Sequence, residues 1–302
     1  MKSRFFALFV AFAGAVAMQA KLNIVATTSD LGAVAREVGG DEVKVTVLAR
    51  PTEDPHFVDA KPSFLVQMSR ADLLIEGGAE LESAWLGPLV DGSRNPKIQK
   101  GAPGHFAANV DVRILEVPSV LDRSQGDIHA GGNPHYLTDP ANAQIVARNL
   151  AAKFCALDPR ACEKFKRNAA AFNARLETKL KEWEQALAPF KGEHVVAYHN
   201  SWPYFAKKFG LEIDIFLEPK PGIPPSPAHL AGVIEVMKKE KVRAIFCEPF
   251  LNHKTAEKVA EETGATVLEV SQFPGAFKGV KADYISLMDY IVSSLAKALG
   301  KQ

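Results

Sequence analysis

The chain predicts an α/β protein of two similar lobes, each a mainly parallel sheet flanked by helices, joined by one long rigid helix. Short apolar or β-branched runs alternate with segments of helical spacing through residues 22–117, and again through 195–298. Such alternation is what parallel strands with helices on both faces require. Between the halves, residues from Asp158-Pro159 to Leu187 hold one unbroken helical pattern dense in Ala, Lys, Glu and Leu. A chain of 302 residues is long enough for two such lobes.

Residues 1–20 read as a secretory signal. Lys2 and Arg4 make a basic start, Phe5 to Ala17 is an apolar run, and Ala15, Ala17 and Ala20 supply small residues for cleavage. The run is too short to span a bilayer comfortably, and no cysteine follows it, so a direct membrane anchor is not expected. The predicted divisions are then a first lobe over 21–157, the linking helix over 158–190 and a second lobe over 191–302. In the first lobe, Leu22–Thr27, Val43–Leu48, Ala71–Glu76 and Val112–Val117 read as strands. Leu31–Val38, Pro62–Ser69 and Glu80–Leu89 carry helical spacing, and Pro62 suits a first helical turn. Ser119–Gly132, rich in Gly, Ser and Asp, reads as a loop. Pro140–Cys155 reads as a helix capped by Asp139.

Cys155 and Cys162 flank a short turn. An oxidising compartment favours a local disulfide between them, the alternative being two half-buried thiols. The linking helix carries Phe165, Ala169, Phe172, Leu176, Leu180, Trp183 and Leu187 at spacings of three and four, one apolar stripe on an otherwise polar rod. About 28 residues extend roughly 40 Å, and the pattern ends at Pro189, which favours a strut over a coiled coil. In the second lobe the strands are Val195–Tyr198, Ile213–Leu217, Val242–Cys247 and Thr266–Val270. The helices are Trp202–Phe209, Pro227–Lys239, Thr255–Thr263 and Tyr284–Ala298, with Gly210 and Gly264 as stops. Five prolines within Glu218–Pro227 leave that segment little freedom to lose, so it can hold a cleft edge in one shape.

Removing Lys2 and Arg4 from the 36 basic residues leaves 34 against 35 acidic ones. This balance argues against a nucleic-acid partner, which wants a concentrated basic face.

Three histidines stand in unusual local company: His56 in Asp-Pro-His-Phe, His135 in Asn-Pro-His-Tyr and His199 in Tyr-His-Asn-Ser-Trp. Imidazole is the commonest ligand for zinc-like ions, and open α/β sheets gather ligands beyond the carboxyl ends of their strands. His199 ends a predicted strand, His56 follows one across a turn, and His135 follows the 119–132 loop. Two come from the first half and one from the second, which is how a metal site between lobes is assembled. His105, His194, His229 and His253 lack that placement and read as structural or surface residues. His129 sits beside Gly126, whose freedom could let it reach an incoming ion.

The segments Asp-Pro-His at 54–56, Lys61–Ser63, Ala71–Leu74, Asn-Pro-His-Tyr at 133–136 with Asp139-Pro140, Tyr198–Phe205, Pro225–Leu230 and Phe246–Pro249 occur in an order that resembles the cluster A-I solute-binding family. These are the metal-binding proteins of bacterial ABC importers for zinc and manganese. The resemblance implies two lobes joined by one rigid helix, with limited hinge motion; the signal segment places the protein in the periplasm, and a monomer is expected. It would hold one metal between the lobes and deliver it to a membrane permease of a metal ABC transporter. The family's ligands fall on His56, His135 and His199. Manganese-preferring relatives typically carry a carboxylate at the last of these positions; an imidazole there favours Zn2+ over Mn2+ or Fe2+. The usual fourth ligand, an aspartate near Glu269–Phe273, is replaced by Ser271. Water or Glu248 can take its place, and Glu248 can equally act by orienting His199.

Three histidines with an open position also describe a catalytic zinc site. With Glu248 as base, a zinc-dependent hydrolase is the alternative. No His-Glu-x-x-His pattern accompanies it, and capture between lobes suits the layout better than catalysis.

Overall fold

The computed structural model describes residues 21–120, 126 and 129–300. The signal peptide expected at 1–20 lies outside the described residues, as do 121–125, 127 and 128 of the predicted loop. The first sheet contains β1 (Leu22–Ala26), β2 (Val43–Val47), β3 (Leu73–Glu76) and β4 (His105–Ala107), all parallel in the order β2-β1-β3-β4. Helices α1 (Ser29–Gly39), α2 (Pro62–Ser69) and α3 (Leu86–Gly92) belong to it. Two helices follow, α4 (Pro140–Leu157) and α5 (Cys162–Leu187). The second sheet contains β5 (His194–Ala197), β6 (Glu212–Phe216), β7 (Ala244–Cys247) and β8 (Thr266–Glu269), parallel in the order β6-β5-β7-β8. Its helices are α6 (Pro203–Phe209), α7 (Pro227–Glu240), α8 (His253–Thr263) and α9 (Tyr284–Leu299).

The two sheets therefore repeat one winding: the chain goes outward from the first strand to the second, then reverses past the first to the third and fourth. That reversal is the switch point at which such sheets open a crevice. In the first lobe the winding depends on close approach of α1 to β2. A Cβ on Gly32 would lie 2.5 Å from Val47 Cγ2, and one on Gly39 would lie 2.2 Å from Val43 Cγ2, so any larger residue forces the layers apart.

Several local expectations match the backbone. Asp139 caps α4 by accepting from Ala141 N at 2.8 Å, and Gly210 and Gly264 end α6 and α8 in the left-handed region. Cys155 and Cys162 are disulfide-bonded, with Cα atoms 4.4 Å apart, and clamp the end of α4 to the start of α5. Two expectations are corrected. The fourth strand is His105–Ala107 rather than Val112–Val117. Asp111 and Glu116 take positive φ, which breaks an extended run, and Leu115 N donates to Tyr204 Oη instead of to a strand. Likewise α3 starts at Leu86, not Glu80, because Ala79 and Glu80 are left-handed and cannot begin a right-handed helix.

The linking helix keeps its predicted stripe, with Phe165, Ala169, Phe172, Leu176, Trp183 and Leu187 buried. The stripe lies inside a core common to both halves. Ile24, Leu73 and Ile75 of the first sheet, Val195, Ala197 and Phe246 of the second, and Tyr284, Leu287, Ile291 and Leu295 of α9 form one apolar cluster with it. Separate clusters lie on the outer faces, beneath α2 and α3 in one lobe and beneath α7 and α8 in the other. The helix is thus anchored along its length, by α1 and α4 on one side and α9 on the other. Trp183 Nε1 adds a 2.8 Å hydrogen bond to Asp289 Oδ1.

Candidate metal centre

His56 stands in a turn beyond the carboxyl end of β2. Asp54 Oδ1 accepts the His56 backbone N–H at 3.0 Å and lies 2.7 Å from its Nδ1. The Pro55 carbonyl accepts Trp85 Nε1–H at 2.8 Å, pinning the turn from below. A carboxylate on Nδ1 fixes the tautomer so that Nε2 carries the lone pair, and that Nε2 is buried without a hydrogen-bond partner.

His135 is only 5% exposed. Asn133 Oδ1 accepts its backbone N–H at 3.0 Å, and a single 3-10 turn, Tyr136–Thr138, follows. Tyr136 Oη donates to the Gly77 carbonyl at 2.8 Å, which ties this segment to the end of β3. The Gln272 side chain, from the second lobe, neighbours the ring. His199 leaves the carboxyl end of β5, and its Nδ1 lies 2.7 Å from Glu218 Oε2. Glu218 is aligned for this because Leu217 and Glu218 continue the pairing of β6 with β5, donating from their amides to Ala197 O and Tyr198 O.

The structure brings the three histidines together. A ligand nitrogen from each lies within 4.8 Å of the other two, and ring centroids are 5.2 Å apart for His56 and His135, 5.5 Å for His56 and His199, and 5.6 Å for His135 and His199. Among the described residues, no Cys, Asp or Glu completes this cluster. Glu248 stays outside it. Its Oε1 accepts Trp202 Nε1–H at 3.0 Å, while Oε2 is buried with no partner. Ser271 is also buried, and its Oγ is engaged locally by Phe273 N at 3.0 Å.

The electrostatics follow from burial and these partners. Burial, with the neighbouring His56 and His199 rings, holds His135 well below the ordinary imidazole range, so it is a neutral donor. For His199 burial pulls the same way, but the Glu218 hydrogen bond and the Glu218, Glu248 and Asp54 charges outweigh it and the value rises. Burial pushes Glu248 up to about 7. Asp54 goes down: burial opposes ionisation, and the hydrogen bond and charge of His56 overcome it.

His129 stacks on His56, with centroids 5.2 Å apart and an interplanar angle of 23°, outside the cluster of three. Its neighbour Ala130 donates to Glu80 Oε2 at 2.5 Å. Of the remaining histidines, His105 binds the Ile98 carbonyl through Nδ1 at 2.9 Å, His229 binds the Phe216 carbonyl at 3.1 Å and His253 the Glu248 carbonyl at 3.1 Å. His194 begins β5, at the opposite end of that strand from His199.

The lobes are hydrogen-bonded to each other beside the cluster. Asn133 Nδ2 donates to Asn200 O and to Glu116 Oε2, both at 2.9 Å, and Asn200 Nδ2 reaches the same Glu116 oxygen at 2.9 Å. Tyr204 Oη donates to Asn133 O at 2.7 Å. A cavity of about 530 Å³ opens against His129, His135 and His199, edged by Asn200 and Pro219.

Sequence reading did not find Asp54, Glu218 or Gln272 as partners of the histidine rings. Asp54 carries a usable signal, since an Asp two residues before His is Asx-turn spacing. Glu218 has no local signal: it lies two residues past β6, and the pairing of β6 with β5 brings it to His199. Gln272 has none.

The family model for the periplasmic zinc-uptake complex component A, ZnuA, matches residues 24–298. Among curated relatives, the iron-binding protein YfeA of Yersinia pestis is 27% identical over 290 residues, covering 93% of this chain and 87% of that protein. The manganese ABC transporter substrate-binding lipoprotein PsaA of Streptococcus pneumoniae is 25% identical over 289 residues, 93% and 90% of the two chains. A crystal structure of ZnuA superimposes with a TM-score of 0.78 at 25% identity, covering 92% of this chain and 99% of the other. A ZnuA deletion mutant with zinc bound gives 0.79 at 26%, covering 93% and 99%. With strand order, linking helix and histidine cluster already in place, the match over nearly the whole length identifies the chain as a member of the ZnuA family, the periplasmic metal-binding components of ABC transporters.

Proposed function

We propose that this protein captures a single zinc ion between its lobes through His56, His135 and His199 and delivers it to the membrane permease of a metal ABC transporter. The convergence of three buried or half-buried imidazole nitrogens within 4.8 Å carries this reading. Relatives are named for manganese and iron as well as zinc. Zinc is favoured here because no carboxylate oxygen belongs to the cluster among the described residues, and a hard ion such as manganese prefers oxygen. Glu248, hydrogen-bonded to Trp202, is not a ligand, and the fourth position is taken by water. The protein's work is capture, not catalysis.

The test is metal analysis of protein purified from its export compartment, followed by zinc–manganese competition. The expected result is about one zinc per chain, displaced poorly by manganese. Undiminished zinc binding by the His56→Ala, His135→Ala, His199→Ala triple variant would sink the proposal. A zinc-dependent hydrolysis abolished in Glu248→Gln would replace it with an enzyme.

A further inference from the structure

A cage of neutral imidazoles takes up a divalent ion without supplying any negative charge, and an uncompensated double charge inside a protein is strongly unfavourable. Two carboxylates stand directly behind the cage, each touching the far nitrogen of one ring. Asp54 meets His56 Nδ1 at 2.7 Å and Glu218 meets His199 Nδ1 at 2.7 Å. Beside His135 the corresponding neighbour is a neutral amide, that of Gln272. We propose that Asp54 and Glu218 are the counter-charge of the site. They contribute one negative charge from each lobe, delivered through the imidazole rings, to a site with no carboxylate among the ligands; Glu248, the further acid near His199, is hydrogen-bonded to Trp202 rather than to a ring. This rests on the metal-capture reading above.

The placement supports a role beyond local packing. Both side chains are mostly buried, with 31% of the Asp54 side chain and 11% of the Glu218 side chain exposed, so solvent screens neither fully. Glu218 is held in its rotamer by a second contact: Gly222 N, within the proline-rich segment, donates to the same Oε2 at 3.3 Å. The stiff 218–227 loop therefore serves to keep one anion against His199. Because the two charges come from opposite lobes, the ion is neutralised fully only when the lobes face each other. Separating them takes one ring-bound charge away with each lobe.

Glu218→Gln separates charge from shape, since the amide oxygen can still accept from Nδ1. Zinc affinity is measured by competition with a chromophoric chelator, and the d–d spectrum of the cobalt-loaded protein reports ligand geometry. The expected loss for Glu218→Gln is 10–100-fold, with a similar loss for Asp54→Asn. In the His199→Ala background Glu218→Gln should cost nothing further, which a merely structural role would not produce. Thermal melts of the metal-free variants check folding, and Asp54→Asn carries the test if Glu218→Gln unfolds. Wild-type affinity in both variants, or an equal loss with and without His199, overturns the counter-charge inference alone. If the wild-type protein binds no zinc, or binds it equally without the three histidines, the metal-capture reading itself falls.

Discussion

Glu82 is a carboxyl sealed in the first lobe, 3% exposed, accepting from Thr27 Oγ1 and from Gly77 N at 2.7 Å. Burial, opposed by these two hydrogen bonds, pushes it up to about 7 from an ordinary 4.5. The folded state thus holds this proton more tightly than the unfolded chain does. Its contribution to stability is complete below pH 4.5 and is lost as pH rises to about 7, where both states are ionised. The gap between 4.5 and about 7 corresponds to stability on the order of 3 kcal/mol lost across that window. Glu82→Gln has no proton to lose, so its unfolding free energy should fall less between pH 5 and pH 8 by about that amount. Urea unfolding of both proteins at the two pH values, with a chelator present to exclude metal effects, measures the difference directly. Asp30, raised by burial to about 6, adds a slope of the same sign in both proteins and cancels in the comparison. Equal pH slopes in wild type and variant would refute the reasoning.

Three further outcomes are expected. Phe172→Ala, within the common core, should destabilise by about 3–5 kcal/mol in chemical denaturation. Removing the Cys155–Cys162 bridge by double Ala substitution should cost about 2–3 kcal/mol by the loop-entropy relation for so short a loop, read as a lowered melting temperature that reducing agent also produces in the wild type. His199→Asp should weaken zinc binding and raise the manganese-to-zinc affinity ratio. Competition titration measures it, and an unchanged ratio would count against the role given to the imidazole.

The fold was legible because its signals are local. The alternation of β-branched runs with helical spacing, the stripe from Phe165 to Leu187 and the stops at Gly210 and Gly264 each act over a few residues. Val112–Val117 misled because an apolar run says nothing of a partner strand, and here the Leu115 amide is taken by a tyrosine from the other lobe. The helix expected from Glu80 failed for the opposite reason. Its composition is helical, but Ala79 and Glu80 are held in left-handed backbone by contacts distant in sequence, Glu82 turning inward to Thr27 and Glu80 meeting the amide of Ala130. At the site, strand ends pointed to His56, His135 and His199. The groups behind them were hidden, because Glu218 and Gln272 reach their histidines only through sheet pairing and lobe apposition, which no sequence window contains.

The single apolar cluster that runs from the first sheet through α5 to the second has a bearing on how the molecule comes apart. Cooperative units follow continuous packing rather than visual lobes. With Phe172 and Leu176 in one cluster with residues of both sheets, neither half closes its own interior. A chain severed near residue 158 would leave a wide oily face on each piece, and the pieces would clump or pair again rather than survive apart. The intact protein should then melt in one step, as a single body with a seam instead of two bodies on a rod.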